Sequence, residues 1–324
     1  MALVLEKKDI HKFLEHLCFK YTVVAPIKRE SDTTFDIYQK DSTLDLGYET
    51  TNTSVKRYFF KPQETLIKYK KGKAEVHAED DKLLVFGLQM ADAAALKILD
   101  EAFEKPIPDT PYLERRKKAT IVAFENTPTP NSFYDELELD CEGVADAVFT
   151  DAGDKYVVEA KTPKGEKLVK NRYIKGKDVK NAASEKFKGK KINLKKVMNF
   201  LDKGPNHSLW IELAEECFAC GACAYACPIC HCFDVTDRLN ITGTEGDRSR
   251  CWDSCMLADF SAVAMGGNFR PERHERIHNW YHHKFSRAVK ERGKPDCVGC
   301  GRCITVCPAK IKIHDIIKKC EEMG

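Results

Sequence analysis

The sequence has no long hydrophobic run. Nothing in its 324 residues reaches the roughly 18 apolar residues of a membrane-spanning helix, and its longest buried-looking stretch, Leu83 to Leu88, is sized for a strand. The start, Met1 to Asp9, lacks the apolar core and small-residue cleavage site of a secretory leader. Together these absences point to a cytoplasmic chain. No charge of one sign dominates: 53 Lys and Arg stand against 50 Asp and Glu, a net charge of +3, which offers no excess for nucleic acid. There is no G-x-G-x-x-G, no Walker A motif and no G-x-S-x-G, so the dinucleotide fingerprint, the phosphate loop and the hydrolase elbow are all missing. Cysteine is scarce over the first 216 residues, where only Cys18 and Cys141 occur, yet 13 of the 15 cysteines crowd the remaining 108.

That crowding is the main positive signal. In a reducing compartment thiols stay unpaired, and clustered cysteines more often bind metal than form disulfides. The cysteines also repeat. Cys217-Phe-Ala-Cys220-Gly-Ala-Cys223-Ala-Tyr-Ala-Cys227-Pro228 and Cys297-Val-Gly-Cys300-Gly-Arg-Cys303-Ile-Thr-Val-Cys307-Pro308 share the pattern C-x2-C-x2-C-x3-C-P, the bacterial run for a [4Fe–4S] cluster. Three cysteines in a tight loop can wrap three corners of one cubane, and glycine after the second permits close backbone approach. The fourth is expected to start a helix pointing away, so that its thiolate reaches the other cluster. The expected sets are therefore crossed: Cys217, Cys220, Cys223 and Cys307 for one cluster, and Cys297, Cys300, Cys303 and Cys227 for the other. Structural zinc needs four thiolates in a tetrahedron, and leaves the Cys-Pro ending of each copy unexplained.

A compact two-cluster ferredoxin joins its copies by a short link, whereas 69 residues separate Cys227 from Cys297 here. That insert carries Cys230, Cys232, Cys251 and Cys255, either a third metal site or thiols packed beside the clusters. It also carries His274-Glu275-Arg-Ile-His278, which matches the zinc-protease pattern H-E-x-x-H. A zinc site would need a third ligand and a water, and no acidic ligand stands out. A basic helix over the clusters, raising their potentials by charge and hydrogen bonds, suits the flanking Arg and His better. Cys320 belongs to no motif and reads as an ordinary thiol.

The remainder reads as an α/β unit. Lys7 to Lys20 has Ile10, Phe13, Leu14 and Leu17 at helical spacing, and Tyr21 to Pro26 is strand-like. Lys61-Pro62-Gln63-Glu64 resembles a helix start. Lys82 to Leu88 is a buried strand feeding a helix over Ala91 to Phe103, and Ala119 to Phe124 is the next strand. Ala145 to Thr150 and Tyr156 to Ala160 flank the turn residues Asp151 to Asp154. Fourteen Lys or Arg fall between Lys161 and Lys196. They make a solvated helical connector or, more sharply, a docking face for an acidic subunit or electron donor. The expected fold is α+β: an N-terminal α/β docking domain over 1–160, a basic helical linker over 161–216, and a ferredoxin-like domain with two [4Fe–4S] clusters over 217–324. A helical insertion at 229–296 separates the two cluster motifs.

Longer stretches carry a resemblance. Arg250-Cys-Trp252-Asp253-Ser254-Cys255-Met256-Leu257-Ala-Asp259-Phe260, Ala264-Met-Gly266-Gly267-Asn268-Phe269-Arg270-Pro271, His283-Lys284-Phe285 and the second cysteine run are similar to a shared iron–sulfur subunit. It is the one found in archaeal sulfhydrogenases, where it is the beta subunit, in anaerobic sulfite reductases, and in flavin oxidoreductase–heterodisulfide reductase assemblies. Arg57 to Leu66 and Phe86 to Leu99 resemble its less specific N-terminal signatures. The loop Glu125 to Tyr134 lacks the cysteines that many members carry there, so a redox role for that loop does not transfer. The resemblance implies a non-catalytic electron-transfer subunit of a cytoplasmic, anaerobic oxidoreductase complex. It would relay single electrons between an FAD/NAD(P)- or ferredoxin-linked partner and a terminal hydrogenase, sulfite reductase or heterodisulfide-reductase-type subunit. It implies protein partners, and neither nucleic acid nor membrane. The alternative is a self-contained iron–sulfur reductase whose N-terminal domain binds flavin or substrate.

Overall fold

A computed structural model describes residues 2–30, 32–76, 82–125, 129–177 and 190–324. Numbered along the chain, its strands are β1 (Ala2–Glu6), β2 (Thr22–Arg29), β3 (Asp32–Ile37), β4 (Gln63–Lys70), β5 (Lys73–Val76), β6 (Leu83–Gln89), β7 (Thr120–Phe124), β8 (Ala147–Asp151), β9 (Lys155–Ala160), β10 (Ile174–Lys177), β11 (Phe233–Leu239) and β12 (Glu245–Trp252). The α+β class expected from the sequence is what the chain adopts. The chain divides into two compact units, each assembled from separate stretches. The first takes Met1–Val55, Glu79–Pro130 and Leu139–Lys188; the second takes Lys56–Ala78, Asn131–Glu138 and Gly189–Gly324.

The first unit is built on an eight-stranded sheet of order β10-β1-β9-β8-β7-β6-β2-β3. Its middle strands β2, β6, β7 and β8 run parallel, and antiparallel neighbours complete both sides. Parallel strands are covered on both faces and read as continuous apolar runs. The Leu83–Gln89 and Thr120–Phe124 strands are accordingly buried along almost their whole length. Crossover helices supply the cover: Ile10–Cys18 buries Ile10, Phe13, Leu14 and Leu17, and Met90–Glu104 follows β6 directly. Phe13, Phe86, Phe124, Phe149 and Tyr156 interlock edge-to-face or stacked in the core, the offset arrangements that ring quadrupoles favour. Among the described residues no helix is long and apolar enough to cross a membrane.

The second unit holds a four-stranded antiparallel sheet of order β11-β12-β4-β5. Lys61-Pro62-Gln63-Glu64 therefore opens a strand and not a helix. Proline suits the residue before a strand as well as a first helical turn, and pairing with β12 on one side and β5 on the other decides the outcome. The insertion between the cysteine motifs adds the β11–β12 hairpin to its helices. Leu194–Leu201 packs on Ile313–Met323, and Ser208–Glu216 packs on Arg273–His282. The last of these continues through a π turn, His283–Arg287, into Ala288–Arg292. The basic stretch 161–216 is shared: helix Pro163–Val169 and β10 lie in the first unit, helices Leu194–Leu201 and Ser208–Glu216 in the second. Residues 178–189 of that stretch lie outside the described residues.

Candidate functional site

The two cysteine runs fold alike. Gly221 and Gly301, at φ +76° and +75°, cap the short helices Ala222–Ala226 and Arg302–Thr305. Only glycine enters this left-handed region at no steric cost. Two residues earlier Ala219 and Gly299 are also left-handed, at φ +51° and +65°. This double reversal turns backbone amides inward: Ala219 N–H donates to Cys217 Sγ and Gly299 N–H to Cys297 Sγ, both at 3.4 Å. Ile229 N–H repeats the contact on Cys227 Sγ at 3.4 Å. The third cysteine of each run lies inside its short helix. The fourth does not start a helix, as its position before proline suggested; Cys227 and Cys307 lie just beyond the C-terminal ends. Proline cannot continue a helix, so the chain leaves at that point.

Three cavities lie among these elements. The first, about 430 Å³, is lined by Cys217, Cys223 and Cys307, with Cys303 and apolar side chains completing the wall. The second, about 330 Å³, is lined by Cys227, Cys297, Cys300 and Cys303. The third, also about 330 Å³, is lined by Cys230, Cys232 and Cys255. Cys220 is exposed and absent from these linings. Cys251, grouped in the sequence with the extra cysteines, is exposed on β12 opposite Asp234 of β11. Trp280 lines all three cavities, and the second and third also share Ile229 and Lys284.

The electrostatics of the linings suit an anionic guest. Burial pushes the Cys223 and Cys297 thiols up to about 12 and raises Cys217 and Cys303. Deprotonating such thiols therefore requires the metal itself. Two ammonium groups are buried beside them. Lys284, 4% exposed, donates to Cys227 Sγ at 3.2 Å and to the Asp296 carbonyl at 2.9 Å. Lys56, 2% exposed, donates to the Cys230 carbonyl at 2.7 Å and sits 4.4 Å over the Trp252 ring. A buried ammonium without an anion costs several kcal/mol. Burial alone would lower Lys284, but the thiols of Cys227, Cys230 and Cys297 outweigh it and hold the ammonium well above its ordinary value. At Lys56 burial prevails and the shift is downward, opposed by Cys230 and Cys227. A hydrogen bond from Cys230, reinforced by the charges of Lys284 and Lys56, holds the Cys227 thiol well below its usual range. The Trp280 indole N–H, buried in the shared wall, has no hydrogen-bond partner among the described residues. A sulfide-rich anion would satisfy both the cations and this donor, so the residues present fit an iron–sulfur cluster.

Several of these groups escape sequence reading. Glu64 belongs to the segment, Arg57 to Leu66, that resembles an N-terminal signature, and Lys56 directly precedes it, yet both pack within the cysteine-rich unit. Glu64 Oε1 accepts from Arg250 Nη2 at 2.6 Å, with both side chains buried, and the Arg250 guanidinium lies 5.0 Å over Phe60. Trp252 Nε1 donates to the Phe60 carbonyl at 3.2 Å. The H-E-x-x-H residues are occupied structurally: Glu275 closes a capping box on Glu272, and His278 Nε2 lies 2.8 Å from the Leu201 carbonyl. Their helix does wall the cavities, through Ile277, Trp280 and Tyr281. Cys320 is fully buried on Ile313–Met323, where burial pushes its thiol up to about 12. Cys18 is exposed and Cys141 half-buried.

Residues 216–311 match a family model described as a 4Fe-4S dicluster domain. Over 313 residues the chain is 30% identical to sulfhydrogenase 2 subunit beta of Pyrococcus furiosus, an alignment covering 93% of this chain and 92% of that protein. No solved structure matches the chain.

Proposed function

The chain belongs to the family of iron–sulfur electron-transfer subunits that includes the sulfhydrogenase beta subunit, and from that membership we propose that it relays single electrons through two [4Fe–4S] clusters inside a multisubunit oxidoreductase. One set of ligands is Cys217, Cys220, Cys223 and Cys307, the other Cys297, Cys300, Cys303 and Cys227. The observation that carries this reading is the crossing of the linings. Cys307 of the second run lines the same cavity as Cys217 and Cys223, while Cys227 of the first run lines that of Cys297, Cys300 and Cys303. Each cluster, when bound, supplies a reversible one-electron couple.

The chain's own residues set the conditions for that couple. Amide donors from Ala219, Ile229 and Gly299 and the ammonium of Lys284 reach sulfur, and each favours the more negative, reduced state. Trp280, Ile277 and Tyr281 give the first cavity an apolar wall, and a low-dielectric surround strengthens the Ala219 contact on Cys217 there. Cys303 and Ile313 line both cluster cavities, so the two sites are separated by single side chains. The exposed Cys220 puts one corner of the first set near solvent, where a partner can approach.

The relative's name, a sulfhydrogenase subunit, supports a multisubunit complex; the partners proposed, as the sequence resemblance implies, are a terminal catalytic subunit of the hydrogenase, sulfite reductase or heterodisulfide-reductase type and an FAD/NAD(P)- or ferredoxin-linked donor. Anaerobic affinity purification from the native host tests this. A metal-bearing catalytic protein and a flavin-bearing one are expected to co-purify. A chain that purifies alone, carries its own flavin and turns over an artificial donor would contradict the relay.

A further inference from the structure

The third cavity is used by neither cluster set. We propose that Cys232 and Cys255, which line it, form a redox-active dithiol: Cys232 attacks a low-molecular-weight disulfide and Cys255 resolves the product. This goes beyond the electron relay and does not depend on it.

The backbone brings the pair together. Cys232 directly precedes β11, and Cys255 follows the end of β12. Asp253 N–H donates to the Cys232 carbonyl at 3.0 Å, which extends the ladder one step beyond the Phe233–Trp252 pair. The chain then turns at Ser254, whose carbonyl accepts from Leu257 N–H at 2.9 Å. The turn folds Cys255 back onto Cys232: its thiol and its backbone N–H both donate to the Cys232 sulfur. Two sulfurs in hydrogen-bond contact have only to close to about 2 Å to form a disulfide. The Cys230 thiol is instead engaged with Cys227, and Cys251 is exposed on β12 opposite Asp234.

The two thiols differ in the way such a couple needs. Cys232 is half-buried, whereas Cys255 is 6% exposed. The hydrogen bond from Cys255, with the charges of Lys56 and Lys284 behind it, outweighs burial and holds Cys232 down at about 7. Thiolate, the nucleophilic form, is therefore present near neutral pH. Cys255 is held up, first by its hydrogen bond to Cys232 and then by burial. The first hold ends once Cys232 enters a mixed disulfide, and Cys255 can then displace the second half of the substrate. One S–S bond breaks in the substrate and one forms between Cys232 and Cys255. The dithiol is oxidised, the substrate is reduced, and the protons of both cysteines leave on the released thiols.

The test treats the anaerobically purified full chain with oxidised glutathione and quenches it in acid. The remaining thiols are alkylated and the cysteines mapped by mass spectrometry, with cluster absorbance and iron content followed in parallel. The wild type is expected to gain about one Cys232–Cys255 cross-link per chain, reopened by dithiothreitol, with iron unchanged. Cys255→Ser is expected to trap glutathione on Cys232, and Cys232→Ser to leave Cys255 unmodified. The wild-type map needs no variant to fold. Both cysteines recovered as free thiols, or Cys232 bridged to Cys230, would overturn the couple and leave the relay standing. Iron lost in step with the cross-link would also overturn it, because the two cysteines would then be metal ligands.

Discussion

At the scale of the residue, the proposed relay makes its most specific prediction at Lys284. It lies in the π turn His283–Arg287 and places a buried ammonium 3.2 Å from Cys227 Sγ. Extra-residue turns of this kind often redirect a side chain at functional sites. A charge-assisted hydrogen bond is worth about 1.5–3 kcal/mol, and about 1.4 kcal/mol corresponds to about 59 mV for one electron. Lys284→Met is therefore expected to lower the midpoint of the cluster at Cys227 by about 60–120 mV, because the reduced state loses its counter-charge. Lys284→Arg is expected to retain most of it. An EPR-monitored redox titration reads this directly, and an unchanged or raised midpoint would contradict the role. The Trp280 indole N–H, without a partner among the described residues, carries no charge, so Trp280→Phe is expected to shift midpoints in the same direction by less.

Among the elements, the two cysteine loops were legible because their geometry is local. Spacing, the glycine after the second cysteine and the closing proline all act within twelve residues. The copies nonetheless differ in one physical respect. Ala219 occupies a left-handed position that costs a non-glycine residue about 1 kcal/mol, so Ala219→Gly is expected to raise stability by about that amount. At the matching Gly299 a Cβ would stand 2.6 Å from Tyr134 N and 2.7 Å from the Phe133 carbonyl carbon. Gly299→Ala is therefore expected to lose about four irons per chain, measured by iron analysis, while Ala219→Gly keeps them. The β4 strand was not legible, since its register comes from β12, far away in sequence. The same distance hid the Glu64–Arg250 pair. Removing one member of a buried ion pair costs about 3–5 kcal/mol, so Glu64→Gln is expected to destabilise by that order in anaerobic denaturant unfolding. The double replacement Glu64→Leu with Arg250→Met is expected to be much milder. Equal losses for single and double variants would contradict the pairing.

At the scale of the whole molecule, the break in cysteine content near residue 216 marks the start of the dicluster match at 216–311, but the second compact unit reaches further back. It takes Lys56–Ala78 and Asn131–Glu138 as well, and those pieces supply the buried Lys56, Glu64 and the Phe133–Tyr134 backbone that frames the second run. Sequence reading assigns such pieces to the α/β region because their contacts are with residues far along the chain. The cavities are linked through shared walls, Cys303 and Ile313 between the first and second, Ile229 and Lys284 between the second and third, which is the geometry a relay requires. The most direct test of that account is metal and sulfide analysis combined with low-temperature EPR on the anaerobically purified full chain. The account predicts at least about eight irons and eight acid-labile sulfides, with dithionite producing fast-relaxing signals from mutually interacting [4Fe–4S] centres. Zinc without acid-labile sulfide, or a chain that stays EPR-silent when reduced, would contradict it.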